Sequence, residues 1–225
     1  MRTQFRDRRE AGARLAAKLA SFAEKPDVLV LALPRGGVPV AAEVAKKLHA
    51  PLDVFVVRKL GLPGYAELAM GAIAHGGMRV LNREVVDSLR ISGNVIASVT
   101  AQEERELERR ERSYRGNLPP LDVRGKTVVV VDDGVATGST MMAAVTALRQ
   151  LEVARIIVAA PVVAATTFSE LSDAADEVAA LCVPDDFGGV GQWYEDFSQT
   201  SDAEVHRLLG EQGNVPPPPD LFKPN

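Results

Sequence analysis

Five apolar runs constrain this chain most: DVLVLAL (27–33), LDVFVVRK (52–59), GKTVVVVDD (125–133), ARIIVAAP (154–161) and DEVAALCVP (176–184). Each is apolar at nearly every position rather than at every second one, as strands covered on both faces are. Helical patterns lie between them: VPVAAEVAKKLH (38–49) after the first run, GSTMMAAVTALRQL (138–151) after the third and AATTFSELSDA (164–174) after the fourth. Buried strands alternating with helices predict an α/β fold, a mostly parallel central sheet with helices on both faces. In such a sheet ligands bind outside the carboxyl ends of the strands.

Other segments fill in the frame. Phe5 to Phe22 reads as an amphipathic helix with Leu15, Leu19 and Phe22 on one stripe. LGLPGYAELA (60–69) reads as a loop, and MGAIAHGGMRVLN (70–82) as two short strands joined at His75-Gly76-Gly77. A short helix is expected over 82–89. A longer one over 94–114 has mixed charges suited to a solvated face with i,i+4 pairs. Ser201 with Glu204 suggests a capping box for a last helix. The expected organisation is one domain over 1–199 with a hood segment at 184–199, a helix at 200–213 and an extended proline-rich tail at 214–225.

Bulk properties narrow the function. The net charge of −4 over 225 residues gives no general attraction to nucleic acid or anionic membranes, so any anion site must be local. A single cysteine, Cys182, excludes an intramolecular disulfide framework. No apolar run reaches membrane-spanning length, and the basic N-terminus lacks a secretory pattern. A cytoplasmic protein is expected.

The chemistry concentrates at strand ends. After the third run, VVVVDDGVATGST (128–140) places Asp132 and Asp133 at a strand tip, then small residues at a helix start. Unpaired amides at a helix N-terminus form an anion site, and Thr137, Ser139 and Thr140 add hydroxyl donors. No Walker A lysine is present. Carboxylates so close would repel a phosphate, but they accept hydrogen bonds from a sugar diol or hold magnesium. The spacing fits a ribose with its diol on the aspartates and its 5′-phosphate on the amides.

These 13 residues resemble the phosphoribosyl pyrophosphate (PRPP) loop of type I phosphoribosyltransferases. The resemblance implies that Asp132, Asp133, Ala136, Thr137, Gly138, Ser139 and Thr140 bind ribose and phosphate. Asp132 and Asp133 would hold Mg²⁺ directly or through water. LPRGGVPVA resembles the family's pyrophosphate loop, with Arg35, Gly36 and Gly37 as its binding residues and a non-proline cis peptide expected at Arg35–Gly36. VVRKLGLPG resembles the entry to the mobile catalytic loop, where Arg58 and Lys59 would neutralise departing pyrophosphate. The implied reaction is transfer of the 5-phosphoribosyl group to a nitrogen of a nucleobase-like, purine-type acceptor, as in nucleotide salvage, by a homodimer.

The acceptor stays open. Hypoxanthine-type members carry an acid immediately before Thr-Gly, where this chain has Ala136. That is more similar to adenine-type members, which use a loop glutamate, here Glu67, with His75 as another candidate. FGGVGQWYEDF (187–197) resembles instead the base-framing hood of hypoxanthine-type enzymes. Phe187, Trp193 or Tyr194 would stack on a ring, and Glu195 or Asp196 would accept from ring N–H groups. Two other readings stand beside the transferase: a PRPP-binding regulator without transferase activity, and a phosphotransferase using Asp132 as nucleophile. The latter chemistry usually wants Asp-x-Asp, which is absent at this strand end.

Overall fold

The computed structural model describes residues 4–116, 118 and 121–211, without the side chains of Ala66 and Glu67. The proline-rich tail expected over 214–225 lies outside the described residues. Strands β1 (Val28–Ala32), β2 (Leu52–Val54), β6 (Thr127–Val131), β7 (Arg155–Val162) and β8 (Glu177–Cys182) form a five-stranded sheet in the order β2-β1-β6-β7-β8. All its pairings are parallel. The chain steps from β1 to β2 on one side, then returns to β6 on the other. Strand order therefore reverses between β1 and β6, and the crevice at their carboxyl ends is where such sheets bind ligands.

Side chains along each strand divide between two cores, as the two-residue period requires. Val129 and Val131 of β6 join Val28, Val30 and Ala32 in one core. That core also holds residues of α1 (Arg8–Lys18), α2 (Gly37–Leu48), α4 (Gly93–Arg115) and α7 (Asp202–Glu211). Val128 and Val130 join Leu29 and Leu31 in the other, under α5 (Ser139–Gln150) and α6 (Ala165–Ala174). Both faces are covered, which explains why the strands carry no polar alternation. The stripe of Leu15, Leu19 and Phe22 is buried as expected, although α1 ends at Lys18 and a 3₁₀ turn follows over Ala20–Phe22.

Two expectations need correction. The run 52–59 is not one strand. β2 stops at Val54, and the chain leaves to form β3 (Val57–Leu62), the first strand of a separate three-stranded antiparallel sheet. β2 lies at the edge of the parallel sheet and follows β1 only as far as Ala32, so nothing beyond offers it a partner. Nor is 60–69 a loop, because β3 continues through Leu62 and β4 (Tyr65–Ala74) begins after Pro63 and Gly64. Gly64 takes φ +83°, as a tight hairpin turn requires, and the register shifts around Gly61 mark a bulge. Glycine and proline here punctuate a hairpin whose Leu60 and Met70 are fully buried. β4 pairs onward with β5 (Met78–Leu81), joined through His75–Gly77 as expected.

The short helix is α3 (Arg83–Ser88), whose Val85 N–H donates to the Asn82 side chain. The long charged helix α4 does more than face solvent. Glu106 makes the expected surface pairs with Arg109 and Arg110, whose bonds pull its carboxyl down to about 2. Other charges point inward: Glu103 accepts from Arg58 of β3 at 2.7 Å, and Glu111 contacts His75 at 2.6 Å. Arg115 clasps Asp53 of β2, the pair being 9% and 12% exposed. Tyr114 donates to Asp202 of α7 at 2.7 Å. Burial first, then that bond, pushes its hydroxyl up to about 12.

Candidate active site

Two loops meet at the strand-order reversal. β1 ends at Ala32, and Leu33-Pro34-Arg35-Gly36 leads into α2. β6 ends at Val131, and residues 132–138 lead into α5. The Leu33 N–H donates to the Val131 carbonyl at 2.9 Å and ties the loops together at their roots. A Cβ on Gly36 would lie 2.1 Å from Asp133 Oδ2, and one on Gly37 would lie 2.6 Å from the Val131 carbonyl. Only glycine permits this approach. The cis peptide of the loop is Pro34–Arg35, one bond before the position expected.

The second loop is shaped by backbone. The Asp132 N–H donates to the Ala159 carbonyl, and Val135 exchanges bonds with Val162 and Ala164. Thr167 of α6 donates to the Ala136 carbonyl at 2.6 Å. Gly138 takes φ +72°, and a Cβ there would meet Thr167 at 2.5 Å. Neither α2 nor α5 begins with a side-chain cap; at α2 the Gly37 and Val38 N–H groups donate instead to the Leu33 and Arg35 carbonyls. Thr137 and Ser139, both exposed, have hydroxyls 3.2 Å apart. A helix start with glycine at its N-cap and hydroxyls beside it suits a phosphate.

The aspartates are electrostatically costly. Asp132 is largely enclosed, and burial, with Asp133's charge added, raises its carboxyl well above the ordinary value. Burial raises Asp133 too, against the opposing pull of Arg8. This arginine, on α1, is the site residue that sequence reasoning missed. Its Nε donates to Asp133 Oδ2 at 2.8 Å, so the pair is not without a counter-charge. The only sequence signal was the cluster Arg6, Arg8, Arg9, which does not single out one member.

Other candidates are placed unequally. Lys59 is exposed on β3 and shares a cavity of about 410 Å³ with Ser139 and Thr140. Arg58 is turned to Glu103 on α4, and Arg35 lies 3.8 Å from Asp202 on α7. Glu67 falls on β4, its side chain outside the described residues. His75 is held against Glu111 of α4.

The hood lies beside β7 and β8, with a 3₁₀ turn over Val190–Trp193. Trp193 and Tyr194 are only 6% and 4% exposed and pack on Phe5, Ala11 and Val162. Phe187 is half-buried against the same cluster. The Tyr194 hydroxyl donates to the Asp133 carbonyl, and burial followed by Asp133's charge raises its pKa strongly. Glu195 and Asp196 are exposed, and Asp196 accepts from the Ser198 N–H. Among the described residues no group of three or more metal-ligating side chains gathers, and no helix is long and apolar enough to cross a membrane.

Known proteins resemble this chain in sequence and in fold. A provisionally named phosphoribosyl transferase of Mycobacterium tuberculosis (strain H37Rv) is 44% identical over 218 residues, covering 94% of this chain and 49% of the relative. The chain thus spans about half the length of the curated relatives it matches over most of its own length. A 61-residue stretch is 44% identical to a ribose-phosphate pyrophosphokinase of Pyrococcus furiosus, covering 26% of this chain and 22% of that enzyme. The crystal structure of TT1426 from Thermus thermophilus superposes with a TM-score of 0.81 at 42% identity, over 93% of this chain and 99% of that one. The family model for the phosphoribosyl transferase domain matches residues 3–194, and the chain belongs to that family.

Proposed function

We propose that this chain transfers the 5-phosphoribosyl group of PRPP to a nitrogen of a nucleobase-like, purine-type acceptor and releases pyrophosphate. One observation carries the reading: two glycine-started helices converge on a carboxylate pair at the strand-order reversal, with Gly36 in contact with Asp133. In this reading the amides and hydroxyls of 136–140 hold the 5′-phosphate. Asp132 and Asp133 accept from the ribose diol, and Arg35, Gly36 and Gly37 hold pyrophosphate.

Chemistry then needs little beyond positioning and charge. The acceptor nitrogen attacks C1 as the C1–oxygen bond to pyrophosphate breaks, and the electron pair leaves with pyrophosphate. Lys59 would meet that charge with its ammonium, a role supported by the cavity it shares with Ser139 and Thr140. Arg58 would join it on releasing Glu103. Magnesium typically keeps waters and binds through one or two carboxylates plus substrate phosphates; Asp132 and Asp133 fit that mode, and bound there it would supply charge neutralisation. Glu67, on the hairpin that would close over the site, is the candidate to handle a proton of the base. Phe187, Trp193, Tyr194 and Asp196 would frame the acceptor side, with Trp193 and Tyr194 anchoring that segment on Phe5, Ala11 and Val162.

The test is pyrophosphate release from PRPP and Mg²⁺ with purines, pyrimidines and pyridine carboxylates, alongside calorimetric titration of PRPP. Release with one acceptor class supports the reading and names the class. Binding without release from any of them replaces it with the PRPP-binding regulator. Absence of PRPP binding removes both. Light scattering tests the expected homodimer.

A further inference from the structure

Arg8 makes more contacts at the site than charge balance requires. Its Nε donates to Asp133 Oδ2 at 2.8 Å and its Nη1 to the Ser198 carbonyl at 2.7 Å. Its guanidinium lies 4.0 Å from the Phe197 ring centroid, within cation–π range. The side chain is 11% exposed. The support behind it is equally fixed. Asp7 caps α1 by accepting from the Glu10 N–H, and Glu10 reaches back to accept from the Arg6 N–H. The residues just before α1 lie along the hood. The Phe5 N–H donates to the Trp193 carbonyl, and the Glu195 and Asp196 N–H groups donate to the Phe5 and Arg6 carbonyls. On the other side, the Asp133 carboxylate lies against Gly36.

We propose that Arg8 is a positioning residue that clamps three parts of the site together: the ribose-holding aspartates, the hood and, through Asp133, the loop at Gly36. The inference rests on the PRPP reading for its effect on binding, but not for the clamp. Its planar fork reaches a carboxylate and a carbonyl at once, which a lysine ammonium does not reproduce in the same geometry. Loss of the fork removes a tie between hood and loop, leaving the Tyr194 hydroxyl on the Asp133 carbonyl, and lets the Asp133 carboxylate swing.

The experiment compares Arg8→Gln and Arg8→Lys, alone and with Asp133→Asn. Calorimetry should show PRPP binding weakened about tenfold or more in R8Q, a loss of the size expected for a charged hydrogen bond. R8K should recover part of it. In the D133N background, where the ribose contact is itself removed, R8Q should add little to the exchange of the hood amides, because the two act as one unit. Amide exchange at Glu195 and Asp196 should quicken in R8Q and D133N alike, with or without PRPP. Exchange effects that multiply in the double variant, or hood exchange unchanged in R8Q, would overturn the clamp. A lower thermal midpoint with unchanged PRPP affinity would do so too. If R8Q does not fold, R8K carries the same comparison. Wild-type protein that fails to bind PRPP removes the functional reading alone, and the exchange measurement then decides the clamp.

Discussion

Asp132 is held at a cost that can be read by titration. Its folded pKa is raised, first by burial and then by Asp133. Between the ordinary carboxylate value near ~3.9 and that raised value, the folded protein binds more protons than the unfolded chain. Stability from this group therefore falls as pH climbs through that window, and the penalty is complete above it. Asp132→Asn removes the charge and keeps an oxygen for the Asp133 N–H. The thermal midpoint at pH 7.5 should rise, by about 2–4 °C for each kcal/mol relieved, with little change near pH 4. PRPP binding should be lost. Gly36→Ala should do the opposite to stability, because a methyl 2.1 Å from Asp133 Oδ2 has nowhere to go. A loss of about 1–3 kcal/mol in urea denaturation is expected, with PRPP binding lost as well. Asp132, Asp133 and the small residues after them were legible in the sequence, because that chemistry is local in the chain. Arg8 was not: it lies 125 positions from its partner, and no spacing rule reaches that far.

Among the elements, α4 shows what charge patterning conceals. Its alternating signs read as a solvated face, and Glu106 with Arg109 and Arg110 agrees. Yet Glu103, Glu111 and Arg115 each take a partner from the strand side. Exposed and buried pairs use the same residue types, so composition cannot separate them. The buried pair should dominate. Arg115→Ala leaves the Asp53 carboxylate enclosed without its counter-charge and should cost about 3–5 kcal/mol. Exposed pairs like those of Glu106 are worth about 0–1 kcal/mol. Chemical denaturation of the variant measures the loss directly. The strands of the parallel sheet were legible because all-apolar runs demand cover on both faces. The β3–β4 hairpin was not, since a bulge at Gly61 and a turn at Pro63-Gly64 carry the residues of an irregular loop.

In the whole molecule, the beginning of the described chain closes the site that its later part builds. Phe5 is fully buried among Ala11, Val162, Trp193 and Tyr194, and its backbone pairs with the hood. Phe5→Ala should cost about 3–5 kcal/mol. It should also speed amide exchange at Glu195 and Asp196 before that of β1 and β6, as mass-spectrometric exchange would show. The parallel architecture was predictable from alternation alone. Which distant segments complete its rim was not, because a surface closed by hydrogen bonds between residues 5–6 and 193–196 leaves no periodic trace.

The glycine N-caps of α2 and α5 have one more consequence. A cradle made of peptide N–H groups has no ionisable part, so any drift of phosphate binding with proton concentration should come from the phosphate itself or from the aspartates beside it, not from the cradle. It is also hidden from alanine scanning, since truncating Thr137 or Ser139 leaves every amide in place. Only a change in the path of the chain can erase it.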